Sequence, residues 1–297
     1  MSTGIRYQPR DVKILSLIGE LGILDLETIQ TRYFLVGESD KACPKKLRQY
    51  KKLGLILEHK VEVVSKKETV IYFVYRLTRE GADEIERLTG VRPKRAGGTK
   101  PPESKTLLHR LGVLHTRLKF DDACHLQELS PLEWIMEWDG DPEAPATAEL
   151  SERIILNHSF QKSGRRLSCW PDAAFRLQLP DDPPEDLLGY VEYDRSTMDH
   201  ADMLEKLDGY AEFFESRAYL EHWPHVREEH FARVLFVCQS EQRISNLSET
   251  YATHQAGSFV RFATAESLVP DRLLTEPIWR TTDGKLLAIL KACVALC

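Results

Sequence analysis

The stretch Thr89 to Ser104, TGVRPKRAGGTKPPES, most constrains how this chain can fold. It is rich in Gly, Pro and charge and has no apolar periodicity, so it reads as a linker that cannot contribute to a core. The hydrophobic residues on its two sides must therefore close on themselves separately. With 297 residues the chain is long enough for this. We expect a first domain over 1–89, a linker over 90–105 and a second domain over 106–297. Gly97-Gly98-Thr99-Lys100 within the linker lacks the GxxxxGK[ST] spacing and a preceding strand, which argues against an NTPase phosphate loop.

Charge divides the chain at the same place. Residues 1–105 carry 21 Lys and Arg against 14 Asp and Glu, a balance of +7, and residues 106–297 carry 19 against 32, a balance of −13. The overall charge of −6 hides this split. A basic block on an acidic remainder points to nucleic acid as the partner of the N-terminal part, because Lys and Arg displace counterions from phosphates. A merely solvated basic face is the alternative.

Hydrophobic residues at 42% and charged residues at 29% describe a globular chain. The longest apolar runs, Val70 to Tyr75 and Val234 to Cys238, fall far below the roughly 20 residues that cross a bilayer. Met1 to Arg10 has no apolar h-region, so a cytoplasmic location without membrane contact is expected. Cys43, Cys124, Cys169, Cys238, Cys293 and Cys297 form no CxxC and read as reduced, mostly buried thiols. His222, His225 and His230 around Trp223 lack the partners of a metal motif and read as a solvated loop.

In the N-terminal part, apolar residues recur at helical spacing from Arg10 to Leu21, ending at Gly22. Asp25 caps a second helix carrying Leu26, Ile29 and Tyr33. A third runs from Lys45 to Leu53, with Pro44 in its first turn and Gly54 closing it. Its seam is Leu47, Tyr50 and Leu53, and the rest is Lys45, Lys46, Arg48, Gln49, Lys51 and Lys52. Two β-rich runs, 55–64 and 69–78, flank a basic tip with Lys66 and Lys67, and a fourth helix covers 79–88. Helix, helix, helix, hairpin, helix is the order of a winged helix, in which the third helix enters the major groove. The six cationic or amide residues of the third helix, Lys46 included, and Lys66 and Lys67 are expected to contact double-stranded DNA; Lys45, Arg48 and Gln49 suit base edges, and Lys51, Lys52, Lys66 and Lys67 suit phosphates. Winged helices also act as protein-protein modules, and the charge on the third helix favours DNA.

In the C-terminal part we expect a helix over 107–124, strands over 132–138, 173–179 and 187–193, a helix over 199–219, a strand over 232–239, a further helix and a strand over 258–263. The fold class is α/β, an α+β winged helix followed by an αβββαβ domain with a partly parallel sheet. Asp172 opens one central strand, and Glu192 and Asp194 close the next on one face. Three converging carboxylates suit Mg²⁺ or Mn²⁺; ion pairing with neighbours is the plainer reading.

Pro171-Asp172, Glu192 and the αβββαβ order resemble the PD-(D/E)xK nuclease superfamily, a restriction-endonuclease-like fold. Asp194 stands where that pattern has its catalytic lysine. Lys206 in the following helix is the candidate substitute, and Arg195 is adjacent. The resemblance implies catalytic roles for Asp172, Glu192, Asp194 and Lys206 if the domain is active, with Asp172, Glu192 and Asp194 as metal ligands.

A broader resemblance covers nearly the whole chain. Arg10 to Leu15, Leu77-Thr78-Arg79-Glu80-Gly81, the helix bearing His109 and His115, Pro171-Asp172-Ala173, Glu192 to Thr197 and Lys206 to Tyr210 are similar to the replication-relaxation family of plasmids and other mobile elements. It implies a DNA-binding protein acting in plasmid replication, relaxation or mobilisation, with a degenerate, non-catalytic nuclease-like domain that dimerises or meets mobilisation or replication proteins. An active Mg²⁺-dependent endonuclease or nickase and a winged-helix transcriptional repressor are the alternatives.

Overall fold

The computed structural model describes residues 7–34, 37–39, 41–64, 68–141, 143–145, 147–149, 153–179, 185–196, 199–226 and 230–290. The chain is mixed α/β and separates into two compact units, residues 1–111 and 112–297. Among the described residues no helix is long and apolar enough to cross a membrane.

The first unit runs α1 (Pro9–Leu21), β1 (Leu24–Asp25), α2 (Leu26–Tyr33), α3 (Ala42–Lys52), β2 (Ile56–Val64), β3 (Thr69–Leu77) and α4 (Arg79–Thr89). Each helix end has a local cause. Gly22 and Gly90 take φ of 79° and 78°, the left-handed conformation that ends α1 and α4 at little steric cost. The Asp25 carboxylate accepts from Thr28 N at 2.6 Å, and the Thr78 hydroxyl accepts from Gly81 N at 2.9 Å. β2 and β3 pair antiparallel over their full lengths, and β1 adds to β3 in the sheet order β1-β3-β2. The core is the apolar stripe of each element: Ile14, Leu15 and Ile18 from α1, Leu47 and Tyr50 from α3, Val74 from β3 and Ile85 from α4. Tyr50 donates its phenol hydrogen to the buried Asp11 carboxylate at 2.6 Å, tying α3 to α1 across the core. Burial would raise the Asp11 carboxyl, but bonds from Tyr50, the Gln8 amide and Lys46 hold it below its ordinary range.

The second unit contains most of α5 (Ser104–Leu126), then β4 (Glu133–Met136), β5 (His158–Lys162), β6 (Arg165–Cys169), β7 (Ala173–Gln178), β8 (Asp186–Asp194), α6 (His200–Glu215), α7 (Tyr219–His222), β9 (His230–Cys238), α8 (Glu241–Tyr251), β10 (Val260–Thr264), β11 (Trp279–Arg280) and β12 (Leu286–Leu287). One sheet carries the order β12-β11-β10-β9-β8-β7-β4. β4, β7 and β8 are antiparallel neighbours, and β8, β9 and β10 are parallel, joined through α6 and α8. The expected α-β-β-β-α-β order is therefore present as α5, β4, β7, β8, α6 and β9. β8 is buried along almost its whole length, as a central strand covered on both faces must be. Leu188, Tyr190, Val234, Phe236 and Phe262 meet Leu207, Tyr210, Phe213, Leu247 and Tyr251 in the main core.

The sequence pattern does not reveal the β5–β6 hairpin, inserted between β4 and β7. Its strands are largely polar and mostly solvent-facing. Ser163 and Gly164, at φ of 52° and 79°, form its two-residue turn, matching the positive φ that such tight hairpins use. α6 lies so close to β6 that a Cβ at Gly209 would come within 2.0 Å of the Ser168 carbonyl oxygen. The helix expected over 199–219 ends at Glu215, with Arg217 at φ of 58° before α7 begins.

The reading of the histidines near Trp223 as a solvated loop is corrected for His222, which closes α7 and packs inward. Its Nε2 lies 2.8 Å from His158 Nε2 and 3.3 Å from the Ile155 carbonyl. Burial, and then the neighbouring His158, push the His222 pKa down to about 4, against a smaller opposite pull from Ile155. A depressed histidine pKa means that the unfolded chain binds the extra proton first, so stability falls as pH drops from about 6.5 toward 4. The loss should reach at most about 3 kcal/mol. Urea unfolding midpoints at pH 7 and pH 5 should differ less in His222→Asn than in the unaltered chain; an equal difference would remove His222 from the account.

Candidate functional site

Two clusters carry the residues singled out by sequence, one in each unit. The first is the outer face of α3. Helical periodicity sends Cys43, Leu47 and Tyr50 into the core and leaves Lys45, Arg48, Gln49, Lys51 and Lys52 exposed. Lys46 departs from this set. Its ammonium sits 3.0 Å from the buried Asp11 carboxylate, so it neutralises a core acid. Lys51 reaches Glu58 on β2 at 2.8 Å, and the Arg48 Nε donates to the Pro44 carbonyl at 3.2 Å. Lys66 and Lys67 lie outside the described residues.

The second cluster lies where β7 begins and β8 ends. Glu192 is buried, and its two carboxylate oxygens are both engaged. Lys206 of α6 donates to Oε2, and Tyr210, one turn further along α6, donates to Oε1 at 2.5 Å. The i, i+4 spacing of Lys206 and Tyr210 puts both on one helix face, which meets β8. Asp172 stands nearby, its Oδ2 accepting from Tyr193 N at 2.6 Å. Burial pushes the Glu192 carboxyl up to about 7 despite Lys206, and Asp172 adds to the rise. Burial alone would depress Lys206, but Glu192 and Asp172 raise its pKa and keep the ammonium charged.

Asp172, Glu192 and Lys206 are thus brought together, and Asp194 is placed elsewhere. The Arg243 guanidinium of α8 holds its carboxylate through two bonds of 2.6 and 3.1 Å, and Ser196 N donates to it at 3.1 Å. The strand period does put Glu192 and Asp194 on one face. Two residues along β8 is nevertheless far enough for one to meet α6 and the other α8.

An open cleft of about 410 Å³ lies beside the Lys206–Glu192 pair, lined by Glu137, Trp170, Asp172, Asp202, Glu205 and Lys206. Glu137 follows β4, its amide donates to the Asp172 carbonyl at 2.9 Å, and its carboxylate lies within 4.8 Å of that of Asp172. Sequence reasoning missed Glu137, Tyr210 and Arg243. Of the three, only Tyr210 carries a local signal, its helical spacing from Lys206. The paired carboxylates of Glu137 and Asp172 offer oxygen donors of the kind that hold a hard divalent ion such as Mg²⁺ or Mn²⁺.

Two solved structures of restriction endonuclease FokI, one of them bound to DNA, show limited similarity to the chain. Their identities are 13% and 14% and their TM-scores 0.26 and 0.25, with 86% of this chain covered in each. The chain spans 65% and 62% of the length of those two proteins, and TM-scores this low lend no weight to an argument about fold or function. No curated protein matches the sequence significantly. A family model described as replication-relaxation matches residues 15–225, well over half of the sequence, and the chain belongs to the replication-relaxation family.

Proposed function

We propose that this chain is a DNA-binding protein of a mobile element, acting in plasmid replication, relaxation or mobilisation. Residues 1–89 form a winged-helix domain that docks on duplex DNA, residues 90–105 connect, and residues 106–297 form a nuclease-like domain that is non-catalytic. The observation that carries the reading is the outer face of α3, where Lys45, Arg48, Gln49, Lys51 and Lys52 all stand exposed, opposite the buried seam of Cys43, Leu47 and Tyr50. Arg48 and Gln49 have the donor geometry that reads base edges, and the lysines suit phosphates. The acidic second domain is a poor nonspecific clamp for DNA and fits contacts with a second copy or with mobilisation or replication proteins.

The second reading, an active metal-dependent endonuclease, is favoured by one observation: the Lys206 ammonium stands on Glu192, beside Asp172. In that reading Lys206 takes the place of the lysine missing at Asp194, Asp172 and Glu137 would hold a divalent ion, and Glu192 would complete the site. The ion would supply neutralisation of phosphate charge and a more acidic bound water. Lys206 would place its proton donors toward the cleft, and Trp170 would wall one side from solvent.

One incubation separates the two. Purified protein is mixed with supercoiled plasmid and with short duplexes, in Mg²⁺ or Mn²⁺ and in EDTA, beside Glu192→Ala. Salt-sensitive binding without cleavage is expected. Metal-dependent nicking that disappears in Glu192→Ala would establish the second reading, and absence of binding at low salt would overturn the first.

A further inference from the structure

On the face of the large sheet opposite Glu192, two arginines lie on adjacent parallel strands with no carboxylate between them. β8 and β9 are in register with Glu192 opposite Phe236 and Gly189 opposite Arg233, and β9 and β10 with Leu235 opposite Arg261. Side chains alternate along a strand, so Glu192 and Phe236 share one face while Arg233, Leu235 and Arg261 share the other. Both guanidinium groups are half-buried. The bonds they make go from Nη1 to backbone carbonyls: Arg233 to Ala232 at 2.7 Å, and Arg261 to Ser258 at 2.9 Å and Val260 at 2.6 Å. Arg233 also lies over the Phe231 ring, 5.3 Å from its centroid.

Among the described residues no acid forms an ion pair with either guanidinium. The register partner of Arg233 on β8 is Gly189, which the Phe175 ring covers, so that side is apolar. The carboxylate felt by Arg261 is that of Asp283, already engaged by Thr281 and Lys285. Burial and the charge of Arg233 push the Arg261 pKa down to about 10, and burial likewise lowers that of Arg233. Two recessed like charges, with no ion-paired acid among the described residues and only Asp283 acting on Arg261, are unfavourable together unless a further anion joins them. Each guanidinium offers five N–H donors in a planar fork, and those not directed at carbonyls can meet oxyanion oxygens.

We propose that Arg233 and Arg261 form an oxyanion site that takes a phosphate group, separate from the carboxylate cleft on the other face of the sheet. The site stands independently of the function proposed above. Its recessed position and two-arginine fork suit a single phosphate, whether free or carried on a DNA strand. In a domain with a balance of −13, an arginine pair with no ion-paired acid among the described residues provides a local point for such a group.

The test is thermal unfolding of the full chain with inorganic phosphate titrated against chloride at equal ionic strength. The Tm should rise with phosphate and saturate. Arg233→Gln and Arg261→Gln should weaken phosphate binding about tenfold or more, and without phosphate their Tm should be unchanged or higher, because a like-charge neighbour is gone. Arginines that serve only packing would give the opposite pattern, lower Tm with an unaltered phosphate response, and would overturn the site. So would a wild-type chain that answers phosphate no more than chloride. Phenylglyoxal labelling of Arg233 and Arg261 in the unaltered chain, read by mass spectrometry, needs no variant to fold. Phosphate should slow labelling at both positions, and unslowed labelling overturns the proposal. With phosphate protection established, 5′-phosphorylated and dephosphorylated oligonucleotides identify its source: protection by both assigns the backbone, by the first alone a strand end, and by neither free phosphate.

Discussion

Reversing the charge at Arg48 and Lys52 together is expected to weaken duplex binding by about a hundredfold or more while leaving the unfolding midpoint unchanged. Both side chains are exposed on α3, so the substitution touches no core contact. Each phosphate contact releases condensed counterions, so the slope of affinity against salt should also become shallower by about one per lost contact. Lys46 is the internal control. It neutralises Asp11 within the core, so Lys46→Ala should lower stability more than it lowers affinity. Fluorescence anisotropy with a labelled duplex at several salt concentrations measures both quantities. An Arg48→Glu/Lys52→Glu protein that binds as tightly as the parent would remove α3 from the interface.

Lys206→Met is expected to destabilise the second unit by up to about 3 to 5 kcal/mol above pH 7, because a buried Glu192 without its cation must either stay ionised unpaired or hold a proton that the unfolded chain releases. The sign of the pH dependence follows from the same burial. Loss of Lys206 drives the Glu192 pKa further above its unfolded range, so the folded chain holds a proton that the unfolded chain releases. Stability must then fall as pH rises above about 4.3, up to the folded pKa. The unaltered chain shares that fall up to about pH 7, where its own Glu192 titrates, so the deficit of Lys206→Met should be small in mild acid and open above about pH 7. The double variant Glu192→Gln/Lys206→Met should recover most of the loss, since a neutral amide can still accept from Tyr210. Urea unfolding across pH provides the comparison. A single variant that costs no more than the double one would show that the two side chains are not coupled.

The two predictions rest on different kinds of information. The α3 face is legible in the sequence because cationic and apolar residues separate at helical spacing over eleven residues. Only the inward turn of Lys46 escapes that reading, since it depends on Asp11 of α1 lying beneath it. The carboxylate cluster is legible in part. Asp172 and Glu192 are marked by their places at strand ends, but the cation that meets Glu192 could be assigned to Lys206 only through the family resemblance. Asp194 shares a face with Glu192 by strand period, yet Arg243 claims it, and Glu137 joins Asp172 through the pairing of β4 with β7.

By itself, then, the sequence determined the opposite charge of the two parts, most helices, the ends marked by Gly22 and Asp25, and the main strands of the large sheet. These follow from short-range rules: side-chain period, φ at glycine, and cap hydrogen bonds within three or four residues. Tertiary structure alone decided which charges meet. Lys206 and Glu192 are 14 residues apart, and Asp194 and Arg243 are 49 apart. Such pairs depend on where a crossover helix lands on the sheet and in what register, which is set by packing the whole core rather than by any local pattern. The same holds for Arg233 and Arg261, diagonal neighbours on one face only because β9 and β10 run parallel with Arg261 opposite Leu235.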